Sequence, residues 1–109
     1  MLERDLELYF YDRVKRAGGL SIKLIPIRAG FPDRLIVLPG GQMRFVELKT
    51  ETGHLRPIQR VWHERARQLG VHVDVLYGPR DVREWLSSAL DGESFTSAHP
   101  DPVRAGEAR

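Results

Sequence analysis

The sequence predicts a small α/β domain, a mixed sheet flanked by helices, with elements in the order α-β-β-β-α-β-α. Three observations predict it. Apolar residues recur at helical spacing in three separated stretches. Between these lie four short runs, rich in branched side chains, that suit strands. Glycine or proline punctuates most of the junctions, where the chain must turn. A length of 109 residues suits one domain, and 41% hydrophobic with 29% charged residues gives material for one core.

The elements follow in order. Leu2, Leu6, Tyr9 or Phe10, Val14 and Ala17 form a first helix that Gly18-Gly19 stops. Residues 20–26 set Leu20, Ile22 and Leu24 against Ser21 and Lys23, a strand. Arg28-Ala29-Gly30-Phe31-Pro32 is a turn, Arg34–Leu38 a second strand, and Pro39-Gly40-Gly41 the tight connection to a third over residues 43–49. After a loop through Thr52-Gly53, Pro57 opens a helix at a position where its missing N–H costs nothing. Ile58, Val61, Trp62, Ala66 and Leu69 give that helix an apolar stripe, expected to place Trp62 in the core, and Gly70 ends it. Val71, Val73 and Val75 alternate with His72 and Asp74 in a fourth strand. Val82, Trp85, Leu86, Ala89 and Leu90 make a closing helix. The domain spans residues 1–90; residues 91–109, rich in Gly, Ser, Pro, Ala and charge, read as a disordered tail.

Composition excludes several classes. Without cysteine there is no disulfide scaffold, no zinc finger and no thiol nucleophile. No apolar run approaches the ~20 residues of a membrane span. Met1-Leu2-Glu3-Arg4-Asp5 lacks a signal peptide's layout, so a cytoplasmic protein is expected. Gly18-Gly19 and Gly40-Gly41 are too short to cradle phosphates, which leaves ATP or NAD chemistry unsupported. His54, His63, His72 and His99 show no metal-binding spacing. Net charge is only +2, but residues 1–86 carry 15 Lys and Arg against 11 Asp and Glu, a mild bias toward a polyanionic partner.

The chemistry-bearing stretch runs from Gly30 to Gln59. Strand alternation puts Glu47 and Lys49 on one side and Val46 and Leu48 on the other. A hairpin partner places Asp33, at the mouth of the adjacent strand, near that pair. Two carboxylates and an ammonium then converge on one end of a sheet. Carboxylate oxygens are the ligands Mg²⁺ or Mn²⁺ prefers, and a lysine beside such an ion offsets charge developing on a phosphate. Taken singly, Glu-x-Lys is a common cross-strand pair and Pro-Asp a common turn; the combination, in this order, points to phosphodiester hydrolysis.

Gly30-Phe31-Pro32-Asp33-Arg34, Phe45-Val46-Glu47-Leu48-Lys49-Thr50, Gly53-His54-Leu55, Gln59, Trp62 and Leu69-Gly70 together resemble the VRR-NUC domain, a branch of the PD-(D/E)XK nucleases. The resemblance implies a restriction-endonuclease-like core and a phage-type, structure-selective, metal-dependent DNA nuclease. It implies Asp33 and Glu47 as Mg²⁺ or Mn²⁺ ligands, with the Leu48 carbonyl as a further one. Lys49 becomes the catalytic lysine, and Gln59 a brace for Lys49 or a nearby water. The family also places a glutamate on the first helix. Glu3 and Glu7 share one face, and Glu3 matches the usual position. Likeness to junction resolvases implies branched DNA as substrate and a homodimer with two active sites. Two departures stand out: Phe31 where a smaller residue is usual, and Arg56 where Ser or Thr would cap the second helix.

For nucleic-acid contact the candidates are Lys23 and Arg28 from the first strand and its turn, and Arg56, Arg60, His63 and Arg67 along one flank of the second helix. A solvated outer face carries the same pattern. Arg34 and Arg44 flank the hairpin as edge-strand charges. The other class of function is a nucleic-acid-binding module that keeps the fold without catalysis.

Overall fold

The computed structural model describes residues 1–25, 28–91 and 95. Its elements are α1 (Glu3–Arg16), β1 (Leu20–Lys23), β2 (Arg34–Leu38), β3 (Gln42–Lys49), α2 (Pro57–Gln68), β4 (Val73–Tyr77) and α3 (Gly78–Leu90), in the expected order. The strands lie side by side as β1-β2-β3-β4, antiparallel at the first two junctions and parallel at the third. Parallel pairing of β3 and β4 requires a crossover, and α2 supplies it. Among the described residues no helix is long and apolar enough to cross a membrane. The tail expected from residue 91 lies outside the described residues except for Asp91 and Phe95, and Phe95 packs against the core.

The sheet's two faces are used differently. On one, α1 and α3 cover Ile36, Leu38, Val46, Leu48 and Leu76 with Leu6, Phe10, Val14, Val82, Trp85 and Ala89. Phe10 and Trp85 meet with ring centroids 5.6 Å apart, and the buried indole N–H of Trp85 donates to Asp74 at 2.7 Å. Arg44 is buried beside them rather than lying at an open edge, bonded to His72 at 2.9 Å and 3.9 Å from Asp74.

The other face carries α2, and here the expected orientation is wrong. The helix buries Gln59, His63 and Ala66. Most of its apolar stripe turns outward, with Val61 50% and Leu69 86% exposed and Trp62 half-buried rather than in the core. The cause lies beneath it, where β3 presents Glu47 and Lys49, which need polar partners. Arg67 ties the helix to β4 by donating from Nε and a terminal nitrogen to the Val73 carbonyl at 3.1 and 3.0 Å.

Candidate active site

Sheet register assembles the first half of the site. Arg34 stands opposite Val46, so Asp33, one residue earlier, falls opposite Glu47. The Asp33 carbonyl accepts from the Leu24 amide at 2.8 Å, which extends the pairing of β1 past its last strand residue. Glu47 is buried, and the Lys49 ammonium lies 4.0 Å from its Oε2. The Leu48 side chain is in the core, so its backbone carbonyl alone is left to serve this side.

The loop carrying Asp33 is docked on α2 through Gly30. Its φ is +92°, and a Cβ there would lie 2.5 Å from the Ile58 carbonyl oxygen. Both conditions demand glycine, and the contact brings Asp33 and the start of α2 together.

The second half of the site hangs from α2. Gln59 Oε1 accepts from the Arg56 amide at 2.8 Å, and its Nε2 donates to Glu47 Oε2 at 3.1 Å. Because the backbone N–H can only donate, the amide orientation is fixed and the NH₂ must face the carboxylate. Gln59 thus supplies the cap that Arg56 lacks and positions Glu47, rather than bracing Lys49. His63, one turn later, is fully buried with Nε2 3.9 Å from Glu47 Oε1. It is therefore no phosphate contact on an outer flank. Spacing held the signal, since residues i and i+4 share a helix face and Gln59 already points at the site. Arg60 donates to the Leu55 carbonyl at 2.7 Å and Arg67 braces β4, so the expected basic stripe is partly structural. Arg56 alone of it lines the cleft.

That cleft, about 400 Å³, is lined by Gly30, Phe31, Asp33, Glu47, Arg56 and Gln59 among others. Burial raises the Glu47 carboxyl to about 7; the like charge of Asp33 adds to this and Lys49 opposes it. Burial also raises Asp33, with Arg34 pulling it down, Glu7 pushing it up and Lys23 pulling it down. Asp33 Oδ1 and Glu47 Oε1 are both buried without a hydrogen-bond partner. Two such oxygens, on carboxylates that resist ionising together, suit a divalent cation. Among the described residues no three carboxylate or imidazole groups are gathered closely enough to hold an ion by themselves.

On α1 the structure brings Glu7, not Glu3, toward the site. Glu7 Oε1 lies 3.3 Å from the buried guanidinium of Arg34 and 3.4 Å from Lys23, whereas Glu3 is exposed. One helical turn, ~5.4 Å along the axis, separates them, and only the second reaches the end of β2. Arg34, expected at an open edge, is instead the buried partner of that glutamate. Lys23 is exposed and shares it, and Arg28 lies over the Trp62 ring.

The sequence model of the VRR-NUC domain matches residues 14–80. The chain belongs to the VRR-NUC family. This VRR-NUC chain is 39% identical over 75 residues to "Putative nuclease p44" of Acyrthosiphon pisum secondary endosymbiont phage 1, an alignment covering 68% of this chain and 81% of the phage protein. A solved VRR-NUC domain superposes with a TM-score of 0.72 at 36% identity, covering 78% of this chain and 94% of the other. The matched residues 14–80 include Asp33, Glu47, Lys49, Gln59 and His63, and leave Glu3 and Glu7 outside.

Proposed function

We propose that this nuclease-family domain hydrolyses DNA phosphodiester bonds with the help of Mg²⁺ or Mn²⁺. The observation that carries the proposal is the facing pair Asp33 and Glu47, each with a buried oxygen that has no hydrogen-bond partner, lining an open cleft with the Lys49 ammonium 4.0 Å from Glu47. Asp33, Glu47 and the Leu48 carbonyl are the groups that would hold the ion. Bound there, it supplies Lewis-acid stabilisation of phosphate charge and a more acidic water.

The chain's own groups do the rest. Glu47 is held at Oε2 by the Gln59 amide, which leaves Oε1, with His63 3.9 Å away, directed by that bond. Lys49 orients the attacking water and offsets charge on the phosphate. Arg56 at the rim offers the strand a cation, and the Arg34–Glu7–Lys23 cluster fixes the electrostatic setting of Asp33. Glu7 takes the place expected for Glu3 as the helix-1 acid. Branched DNA as the preferred substrate and a homodimer as the active form belong to the same proposal, on the strength of the family likeness.

A panel of single-stranded, flap, splayed and four-way DNAs with titrated Mg²⁺ and Mn²⁺ tests this. Asp33→Ala and Lys49→Ala should each lose at least ~100-fold in cleavage rate while still binding DNA. Glu7→Gln should lose far more activity than Glu3→Gln. Parent and variants that bind alike and cleave nothing would leave the non-catalytic module standing instead.

A further inference from the structure

Trp62 lies three residues along α2 from Gln59, half-buried, in a setting the hydrolytic site does not use. The Arg28 guanidinium carbon sits over its ring, 4.5 Å from the centroid, and that of Arg65 at 5.1 Å. One arginine comes from the turn after β1 and the other from the next turn of α2. Their placement is not accidental slack, because the close approach of Gly30 to the Ile58 backbone fixes the Arg28 segment against the helix that carries Trp62.

The pairing differs from that of five other arginines, although Arg13 likewise lies over a ring, that of Tyr9, 4.9 Å from its centroid. Arg16, Arg34, Arg44, Arg67 and Arg80 each face a carboxylate. Arg28 and Arg65 are exposed and, among the described residues, face the indole instead. Two cations gathered on one ring, with no carboxylate facing either among the described residues, concentrate positive charge at this spot on the surface. A guanidinium lying on an aromatic face keeps its in-plane N–H groups free for an external acceptor and has already lost much of its side-chain freedom. The Arg28 segment also runs directly into Ala29, Gly30 and Phe31, which line the cleft.

We infer that Arg28 and Arg65, stacked on Trp62, form a clamp for the phosphodiester backbone of the substrate strand, gripping phosphates beside the one at the carboxylate pair. The inference rests on nucleic acid being what enters the cleft. Arg65 and Trp62 join the binding surface here, while His63 and Arg67 leave it.

The test is binding without divalent ions, measured by anisotropy of a labelled DNA duplex and of a single strand across a salt series. Arg28→Ala and Arg65→Ala should each reduce the slope of log affinity against log salt by about 0.9 on duplex, or about 0.7 on single strand. Arg83→Ala, an exposed arginine on α3, should leave it unchanged. Trp62→Leu should weaken binding about two- to fivefold, with Trp62→Phe between it and the parent. The same Trp62→Leu change should cost almost nothing once both arginines are gone. Unaltered slopes in the arginine variants, or an equal fall in Arg83→Ala, overturn the clamp; these exposed variants decide the matter even if Trp62→Leu folds poorly. Cleavage that survives Asp33→Ala sinks the hydrolytic proposal and leaves the salt slopes to judge the clamp separately.

Discussion

The two faces of one sheet follow opposite rules. Beneath α1 and α3 the buried residues are chiefly Leu, Phe, Val and Trp, the pattern that removes apolar area from water. Beneath α2 the buried groups include Glu47, Gln59 and His63 alongside Ala66, while Val61 and Leu69 point to solvent. The first face supplies the folding energy. The second spends part of it to hold two carboxylates where water cannot fully solvate them. The difference teaches that an amphipathic helix turns toward whatever its partner surface needs, and a polar partner surface draws in a polar stripe.

Three measurements break or sharpen that contrast. Phe10→Ala, on the apolar face, should cost about 3–5 kcal/mol of stability in urea unfolding, because the cavity opens beside Trp85 in a packed core.

Glu47→Gln, on the polar face, should do the reverse at high pH. The folded-state pKa of Glu47 is raised from 4.5 to about 7. Below pH 4.5 both folded and unfolded chains hold the proton and nothing is lost. As pH rises through 7 the unfolded chain releases it first, so stability falls, by up to about 3 kcal/mol. Asp33, raised in the same direction, adds to the decline. The Glu47→Gln variant should therefore unfold at a higher temperature than the parent at pH 8 and at nearly the same temperature at pH 4. Mn²⁺ should stabilise the parent at pH 8 and do so much less for the variant. A parent that is equally stable at pH 5 and pH 8, relative to the variant, removes the buried-charge account of the site.

The smallest effect belongs to the outward stripe. Val61→Ser and Leu69→Ser should change stability by no more than about 0.5 kcal/mol, although both belong to the apolar stripe read from the sequence. A loss of 2 kcal/mol at either position shows that α2 has been turned the wrong way.

Much of the fold was legible because helix, strand and turn signals are local. The hairpin follows from Pro39-Gly40-Gly41, the first helix from its apolar spacing, and the strand alternation alone put Glu47 and Lys49 on one side. The resemblance then named Asp33, Glu47, Lys49 and Gln59; the structure lines one cleft with Asp33, Glu47 and Gln59 and puts the Lys49 ammonium 4.0 Å from Glu47. Legibility failed where two candidates shared a periodic relation. Glu3 and Glu7 lie on one face of α1, and only the reach of Arg34 and Lys23 separates them. His63 belongs by spacing to the arginine flank and equally to the Gln59 face, and Trp62 fits a core stripe as well as a cation platform.

By itself the sequence determined the order of the elements, the pairing of the hairpin and the family, since these depend on neighbours in the chain and on motif spacing. Only the tertiary structure decided which face of α2 turns inward, which glutamate of α1 approaches Asp33, and that two arginines meet on Trp62. Periodicity fixes which side chains share a face; the environment that face meets is set by segments distant in sequence, and burial, charge pairing and shifted proton affinity exist only once those segments are in contact.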